Sequence, residues 1–220
     1  MKPTYNVLWT GGWDSTFRVI QLFHRDASIQ PIYILDHSRI SYTKELESIR
    51  KITAYLPERF PNSKGEVKPL IIIDEKDIAP NLYLKLIHKF LRKKVDLGSQ
   101  YYYLARIAKK YPGIELSLHE EDLYRFFNKS QLLKISDEFT GDNWKVNPKK
   151  VDFFRRQLFS NMTFPLVELT KPEMKRISEN EGFFDLMELT WFCHKSTNKP
   201  CGNCSPCKQY LRDGFDFRLK

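Results

Sequence analysis

All four cysteines of the chain fall between Cys193 and Cys207, spaced C-x7-C-x2-C-x2-C as Cys193, Cys201, Cys204 and Cys207. A C-x2-C step lets one turn of backbone present two thiolates to the same ion, and Gly202 and Pro206 permit the bends. Four thiolates saturate Zn2+ and leave no open coordination position, so the spacing predicts a structural metal knob rather than a catalytic one. The run C-x2-C-x2-C also occurs in iron–sulfur proteins, which is the alternative occupant. His194 sits beside the first cysteine as a fifth candidate and is read as a bystander. Cysteines that staple a fold are usually spread along it, so this clustering argues for a metal in a reducing compartment.

The second chemical signal is Leu8-Trp9-Thr10-Gly11-Gly12-Trp13-Asp14-Ser15-Thr16. A short apolar run enters two glycines and then a helix whose first turn carries hydroxyls. Glycines let backbone approach an anion closely, and a helix N-terminus offers free N–H groups and the favourable end of its dipole. Thr10, Ser15 and Thr16 add hydroxyl donors, and Asp14 is a candidate to hold Mg2+ on bound phosphates. No lysine follows the glycines, so this is not the GxxxxGK[ST] loop, nor is it GxGxxG. The plainer reading is a strand–helix turn capped by Asp14 or Ser15. Asp36, at the end of the next apolar run, stands where nucleotide-binding sheets hold their ligand. Lys171 lies in Thr170-Lys171-Pro172-Glu173, which also reads as a capping box.

These residues need elements to hold them. Strands are expected at 7–9, 32–35 and 70–73, the last apolar throughout as if covered on both faces. Helices are expected over 15–24, 44–56 (stopped by Pro57), 81–94 and 99–111, with a further strand at 114–118. Residues 119–160 are rich in Phe and Lys, with Gly141-Asp142-Asn143 as a turn. Alternating strands and helices predict an α/β fold with a parallel sheet of about five strands, flanking helices and a C-terminal zinc knob. Residues 1–190 form the expected catalytic domain and 191–220 the cysteine segment packed on it.

TGGWDST resembles the SGGxDS motif of the PP-loop ATP pyrophosphatases, with Thr10 in place of the first serine. Cys201-Gly202-Asn203-Cys204-Ser205-Pro206-Cys207 near the C-terminus narrows the resemblance to the 7-cyano-7-deazaguanine synthases. Pro165-Leu166, Thr170-Lys171 and Glu188-Leu189-Thr190-Trp191 resemble that family's PL…(S/T)K…ELTxSC stretch. The resemblance implies a HUP-like (adenine nucleotide alpha hydrolase-like) fold, ATP with Mg2+, structural Zn2+ and a homodimer. It implies adenylation of a deazapurine carboxylate, 7-carboxy-7-deazaguanine, then capture by ammonia to give the amide or nitrile. Asp14 and Lys171 are then catalytic, while Thr10, Gly11, Gly12, Ser15, Thr16 and Asp36 bind the nucleotide. The chain departs from the family after Asp36, where His37-Ser38-Arg39-Ile40 replaces a GQRH-like segment. Glu115 to Asp122 stand where the family has GxNxxD…YPDC, and Gly98-Ser99-Gln100-Tyr101 where it has Arg-x-Asn. The ATP half of the pattern is kept and the acceptor half is rewritten.

Composition bounds the rest. The 220 residues are 41% hydrophobic and 14% aromatic, enough for a packed core and unlike a disordered chain. No apolar run approaches a membrane span, and no h-region follows Met1, so a cytoplasmic protein with no membrane partner is expected. The net charge of +9 suits nucleic acid, anionic membranes or a nucleotide substrate, or serves solubility alone. Three further classes stay open: transfer of the acyl group to another amine, even on a protein; a PP-loop enzyme modifying tRNA; and a non-enzymatic zinc protein binding nucleic acid. On the leading reading nucleic acid is not required. The histidines at 24, 37, 88, 119 and 194 are scattered, and the basic stretch Lys85, Lys89, Arg92, Lys93, Lys94 reads as a solvated helix face.

Overall fold

The computed structural model describes residues 2–137 and 141–219, leaving aside the side chains of 122–124. Its centre is a mixed sheet built from β1 (Thr4–Leu8), β2 (Ser28–Leu35), β3 (Glu66–Val67), β4 (Ile71–Asp74), β5 (Ile114–Glu115), β6 (Leu132–Asp137), β7 (Gly141–Val146) and β8 (Met162–Thr163). The strand order is β3-β2-β1-β5-β8-β7-β6, with β4 also on β2. β3 and β4 pair with successive stretches of β2, Ser28–Ile29 and Ile32–Leu35, and so act as one edge strand broken at Lys68-Pro69-Leu70. Proline has no N–H for a ladder, which suits such a break.

The expected parallel sheet of about five strands is therefore part of a larger one. β1 to β5 and β8 are parallel neighbours, while β7 and β6 extend the sheet antiparallel as a hairpin. Gly141-Asp142-Asn143, expected as a turn, opens β7 instead, and ladder pairing from Leu132↔Val146 to Asp137↔Gly141 explains why. Taking β3 and β4 as one, the parallel strands run 3-2-1-4-5 in chain order, the order of doubly wound sheets. The order reverses between β1 and β5, and the crevice beyond the carboxyl ends of the strands there is where such sheets take ligands.

Helices cover both faces. One face carries α1 (Trp13–His24), α2 (Tyr42–Arg59), α7 (Lys171–Asn180), α8 (Phe184–Glu188) and α9 (Ser205–Arg212). Phe17, Ile20, Ile52, Met174, Phe183 and Phe215 share one buried cluster there with Cys193, Cys204 and Cys207. The cysteine segment is thus part of this core. The other face carries α3 (Leu82–Leu91), α4 (Gln100–Lys110), α5 (Glu120–Phe126) and α6 (Phe153–Phe159), around Leu84, Leu104, Phe127, Phe159 and Phe164.

Several expected boundaries move for identifiable reasons. Pro57 does not stop α2 but lies in its last turn, where Phe60 N–H still bonds the Leu56 carbonyl. β4 is not covered on both faces: it lies at the edge, with Ile72 half exposed. The strand expected over 114–118 is short, although Leu116 N–H still reaches the Thr163 carbonyl. A bidentate ion pair fastens α1 to β5 of the sheet, Arg18 giving Nε and Nη2 to Glu115 at 2.7 Å each, with both side chains buried. Asn143 on β7 donates to the same carboxylate at 3.1 Å. No helix among the described residues is long and apolar enough to cross a membrane.

Candidate active site and metal centre

β1 ends at Leu8, and the chain turns through Thr10, Gly11 and Gly12 before α1 begins. Gly11 has φ +68°, and a Cβ there would lie 2.5 Å from the Glu45 carbonyl oxygen of α2. Only glycine fits both that conformation and that approach. Gly12 is the N-cap of α1 and provides no side-chain cap, so neither Asp14 nor Ser15 plays the capping role. The Ser15 hydroxyl instead receives Thr10 N–H at 3.2 Å and lies 3.1 Å from the Thr10 hydroxyl, tightening the turn. Thr16 is fully buried, and its Oγ1 accepts the Trp9 indole N–H at 2.9 Å. It braces the turn from behind rather than facing the open side.

That open side is a cavity of about 320 Å³, in the range of small-ligand sites. Thr10, Gly12, Asp14, Asp36 and Lys171 all line it. Lys171 is the first residue of α7, whose capping box is present as the sequence predicts. The box does not exhaust its role, because Lys171 is 4% exposed and its Nζ reaches Asp14 Oδ1 and Oδ2 at 2.5 and 2.6 Å. Two residues 157 apart in sequence thereby meet at the mouth of the helix. Asp36 follows β2 and accepts both the Ser38 N–H (2.9 Å) and the Ser38 hydroxyl (2.6 Å) on one oxygen. The Arg39 guanidinium stands 3.6 Å from its other oxygen.

Other wall residues carry no motif. Glu45, buried on α2, accepts the Tyr33 and Ser41 hydroxyls at 2.8 and 2.7 Å. Burial pushes the Tyr33 hydroxyl well above its ordinary range and Tyr103 up to about 12, so both remain neutral donors. His194, expected as a bystander, is a cavity wall: burial, then the Arg39 charge, draws its pKa down to about 4. Gln209 of α9 also lines the cavity, its amide 3.0 Å from Nε2 of buried His119. Nδ1 of that ring accepts Glu121 N–H at 3.3 Å. Among the described residues the buried Trp13 indole N–H and Tyr210 hydroxyl have no hydrogen-bond partner, and both residues line this cavity.

The metal centre adjoins the same wall. The four cysteine sulfurs lie within 4.8 Å of one another, with separations including 3.3, 3.9 and 4.0 Å. A tetrahedral ion with Zn–S bonds of about 2.3 Å requires sulfurs about 3.8 Å apart. The set fits one such ion, whereas a multi-iron cluster holds its thiolates on separate irons and spreads them wider. Cys201 N–H points at Cys193 Sγ (3.3 Å) and Cys204 N–H at Cys201 Sγ (3.4 Å), donors suited to thiolates. The Asn203 backbone draws the Cys201 thiol down to about 6, while burial pushes Cys193 and Cys207 up. Crowded thiols cannot all ionise unaided; a cation among them can make them do so.

Metal centre and glycine turn are physically joined. Trp191 N–H donates to the Gly11 carbonyl at 3.0 Å. Phe215 meets Trp13 edge-on at 4.9 Å, and Phe192 stacks on Tyr210 at 3.9 Å. Trp191, Phe192, His194, Pro206, Gln209 and Tyr210 bring the cysteine segment into the cavity wall. The sequence signals gather at one place, but the wall residues between them have no spacing signature. No protein-family model matches the sequence, and no curated protein matches it.

Proposed function

We propose that the chain is a PP-loop ATP pyrophosphatase of the 7-cyano-7-deazaguanine synthase type, a ligase that adenylates a carboxylate and joins it to an amine. The observation that carries this reading is the meeting of Asp14 and Lys171 on an uncapped glycine turn at the mouth of the cavity. An anion placed there would find the free N–H groups of α1, the Thr10 hydroxyl and a buried ammonium. ATP supplies that anion, and 7-carboxy-7-deazaguanine is the expected carboxylate.

The reaction needs its partners held in line and the growing charge on the α-phosphate neutralised. The substrate carboxylate oxygen bonds the α-phosphorus as the bond to pyrophosphate breaks. The amine nitrogen then bonds the acyl carbon, AMP leaves, and the nitrogen gives up its proton to yield the amide. A second ATP, activating the amide oxygen in the same way, removes it as AMP and leaves the nitrile. Lys171 is placed to leave Asp14 for the α-phosphate. Asp14, so released, is the group for Mg2+, which would offset phosphate charge and binds through few carboxylates plus substrate phosphates. Gly11 and Gly12 admit the phosphates, and Asp36 with Arg39 holds the far end of the cavity. Cys193, Cys201, Cys204 and Cys207 would hold Zn2+ in a structural role, fixing the wall that carries Gln209 and Tyr210.

A neighbouring reading hands the acyl group to a different amine. It is favoured by Glu115, which stands in the family's pocket stretch yet is locked in the core by Arg18. One experiment addresses both: incubation with ATP, Mg2+, 7-carboxy-7-deazaguanine and ammonia, with products identified by mass. AMP and pyrophosphate with an amide or nitrile are expected. Adenylate without ammonia capture points to another amine, and no AMP with any carboxylate rejects the ligase. Asp14→Ala is expected to abolish turnover.

A further inference from the structure

The basic stretch that the sequence presents as a solvated helix face is also the most exposed apolar surface of the molecule. On α3, Leu82 is 76% exposed, Leu86 56%, Tyr83 49% and Phe90 48%. These positions recur at helical spacing and form a stripe about 12 Å long at 1.5 Å per residue. Phe154 of α6 lies 5.8 Å from Phe90, and Phe153, 46% exposed, extends the stripe. The opposite side of α3, with Leu84, Ile87 and Leu91, is already spent in the core, so α3 is apolar on both sides.

We propose that this face docks on an anionic lipid surface. Lys85, Lys89, Arg92, Lys93 and Lys94 border the stripe, and no acidic residue occurs from Leu82 to Val95. All five cations are exposed, and none forms an ion pair among the described residues. Lys93 lies over the Phe90 ring at 5.7 Å and Lys94 over Phe154 at 5.1 Å, so apolar and cationic groups form one patch. A second copy docking face to face would set these five cations against their equivalents. A nucleic acid would meet the lysines but leave leucines and phenylalanines against phosphate. Acyl chains with anionic headgroups satisfy both halves: the side chains enter the interface while the lysines remain at headgroup level. The stripe lies apart from the residues lining the cavity.

The test is co-sedimentation of the full chain with phosphatidylcholine vesicles, with and without phosphatidylserine. Binding is expected only with phosphatidylserine, weakening as salt rises. The Leu86→Ser/Phe90→Ser variant and the Lys85→Gln/Lys89→Gln/Lys93→Gln variant should each lose at least tenfold in partitioning. Both variants should stay folded with a cooperative thermal transition above the assay temperature, and the lysine variant, whose altered side chains are exposed, separates lost binding from the packing that Phe90 loses against Phe154. No binding to phosphatidylserine vesicles, or equal binding to both compositions, overturns the proposal. So does a wild-type dimer in sedimentation velocity that the Leu86→Ser/Phe90→Ser variant dissolves, since a second copy then covers the patch.

Discussion

Replacing Lys171 with Met keeps most of the buried stem but removes the ammonium from Asp14. Lys171 is 4% exposed and touches both carboxylate oxygens, so it is the ammonium set against the Asp14 charge. Breaking a fully buried pair by deleting one partner costs about 3–5 kcal/mol, because the surviving charge stays behind. Asp14 is 24% exposed and water reaches it, so the expected loss falls to about 2–3 kcal/mol. For a chain of this size that lowers the melting temperature by roughly 4–12 °C. Asp14→Asn alone strands the ammonium instead and should cost a similar amount. The double variant Asp14→Asn/Lys171→Met removes both members of the pair and should recover part of that loss, the remainder falling on buried Asp213, which loses the field of the Lys171 ammonium. Urea unfolding with an unchanged m-value supplies the four corners of the cycle. Each variant, the double one included, should lose the thermal stabilisation that ATP with Mg2+ gives the wild type. A Lys171→Met protein as stable as wild type, or a double variant that retains the ATP response, would refute the reasoning.

Zinc should purify with the chain at about one equivalent by mass spectrometry. Its removal by chelator, or Cys204→Ser, should lower both the melting temperature and the affinity for ATP, because the cysteine segment holds the Gly11 carbonyl and the Trp13 ring. An unchanged ATP affinity in a metal-free but folded protein rejects that coupling, and a brown, iron-bearing protein rejects zinc. Gly11→Ala must adopt φ +68° and displace the Glu45 carbonyl, a cost of about 2–3 kcal/mol in urea unfolding. Gly12→Ala meets the Thr10 hydroxyl at 3.3 Å and the Trp191 carbonyl at an ordinary 3.7 Å, so it should spare the fold and act on ATP affinity. Burial lowers the pKa of His88, whose Nε2 lies 2.9 Å from the Gly98 carbonyl. The unfolded chain therefore binds a proton first, and this contribution to stability is complete above pH about 6.5 and declines below it, at no more than about 1.4 kcal/mol per pH unit. His88→Gln should remove that slope from the wild-type curve of stability against pH.

What could be read in the sequence was what local chemistry dictates. The four cysteines, the glycine turn and the Thr170–Glu173 capping box are short-range patterns, and each recurs in the structure at its expected residues. β1, β2 and the amphipathic α1 follow from periodicity for the same reason. The misses depend on partners far along the chain. β6 and β7 are recognisable only once paired with each other and with β8, because their exposed face blurs the alternation. Glu115 and Arg18 look like two ordinary surface charges until the fold buries them together. Gln209, Tyr33 and Glu45 enter the cavity wall from three separate elements, with no shared spacing to betray them.

The position of the metal centre follows from the same consideration. Bringing Lys171 to Asp14 closes a long loop, but loop-closure entropy grows only logarithmically, so separation in sequence is a small obstacle. Ordering the C-terminal wall is the larger one. Residues 193–207 are rich in Cys, Pro, Gly and Asn, with few side chains large enough to repay their lost freedom. The aromatic contacts of that wall, Phe192 on Tyr210 and Phe215 on Trp13, need α9 and the chain after it already in place. An ion held by the four cysteines would supply that order directly, since its binding free energy would become folding free energy for the segment that carries the ligands. A metal there would fix the wall where the cysteine segment joins the core through Cys193, Cys204 and Cys207 and reaches the cavity through His194, Pro206 and Gln209.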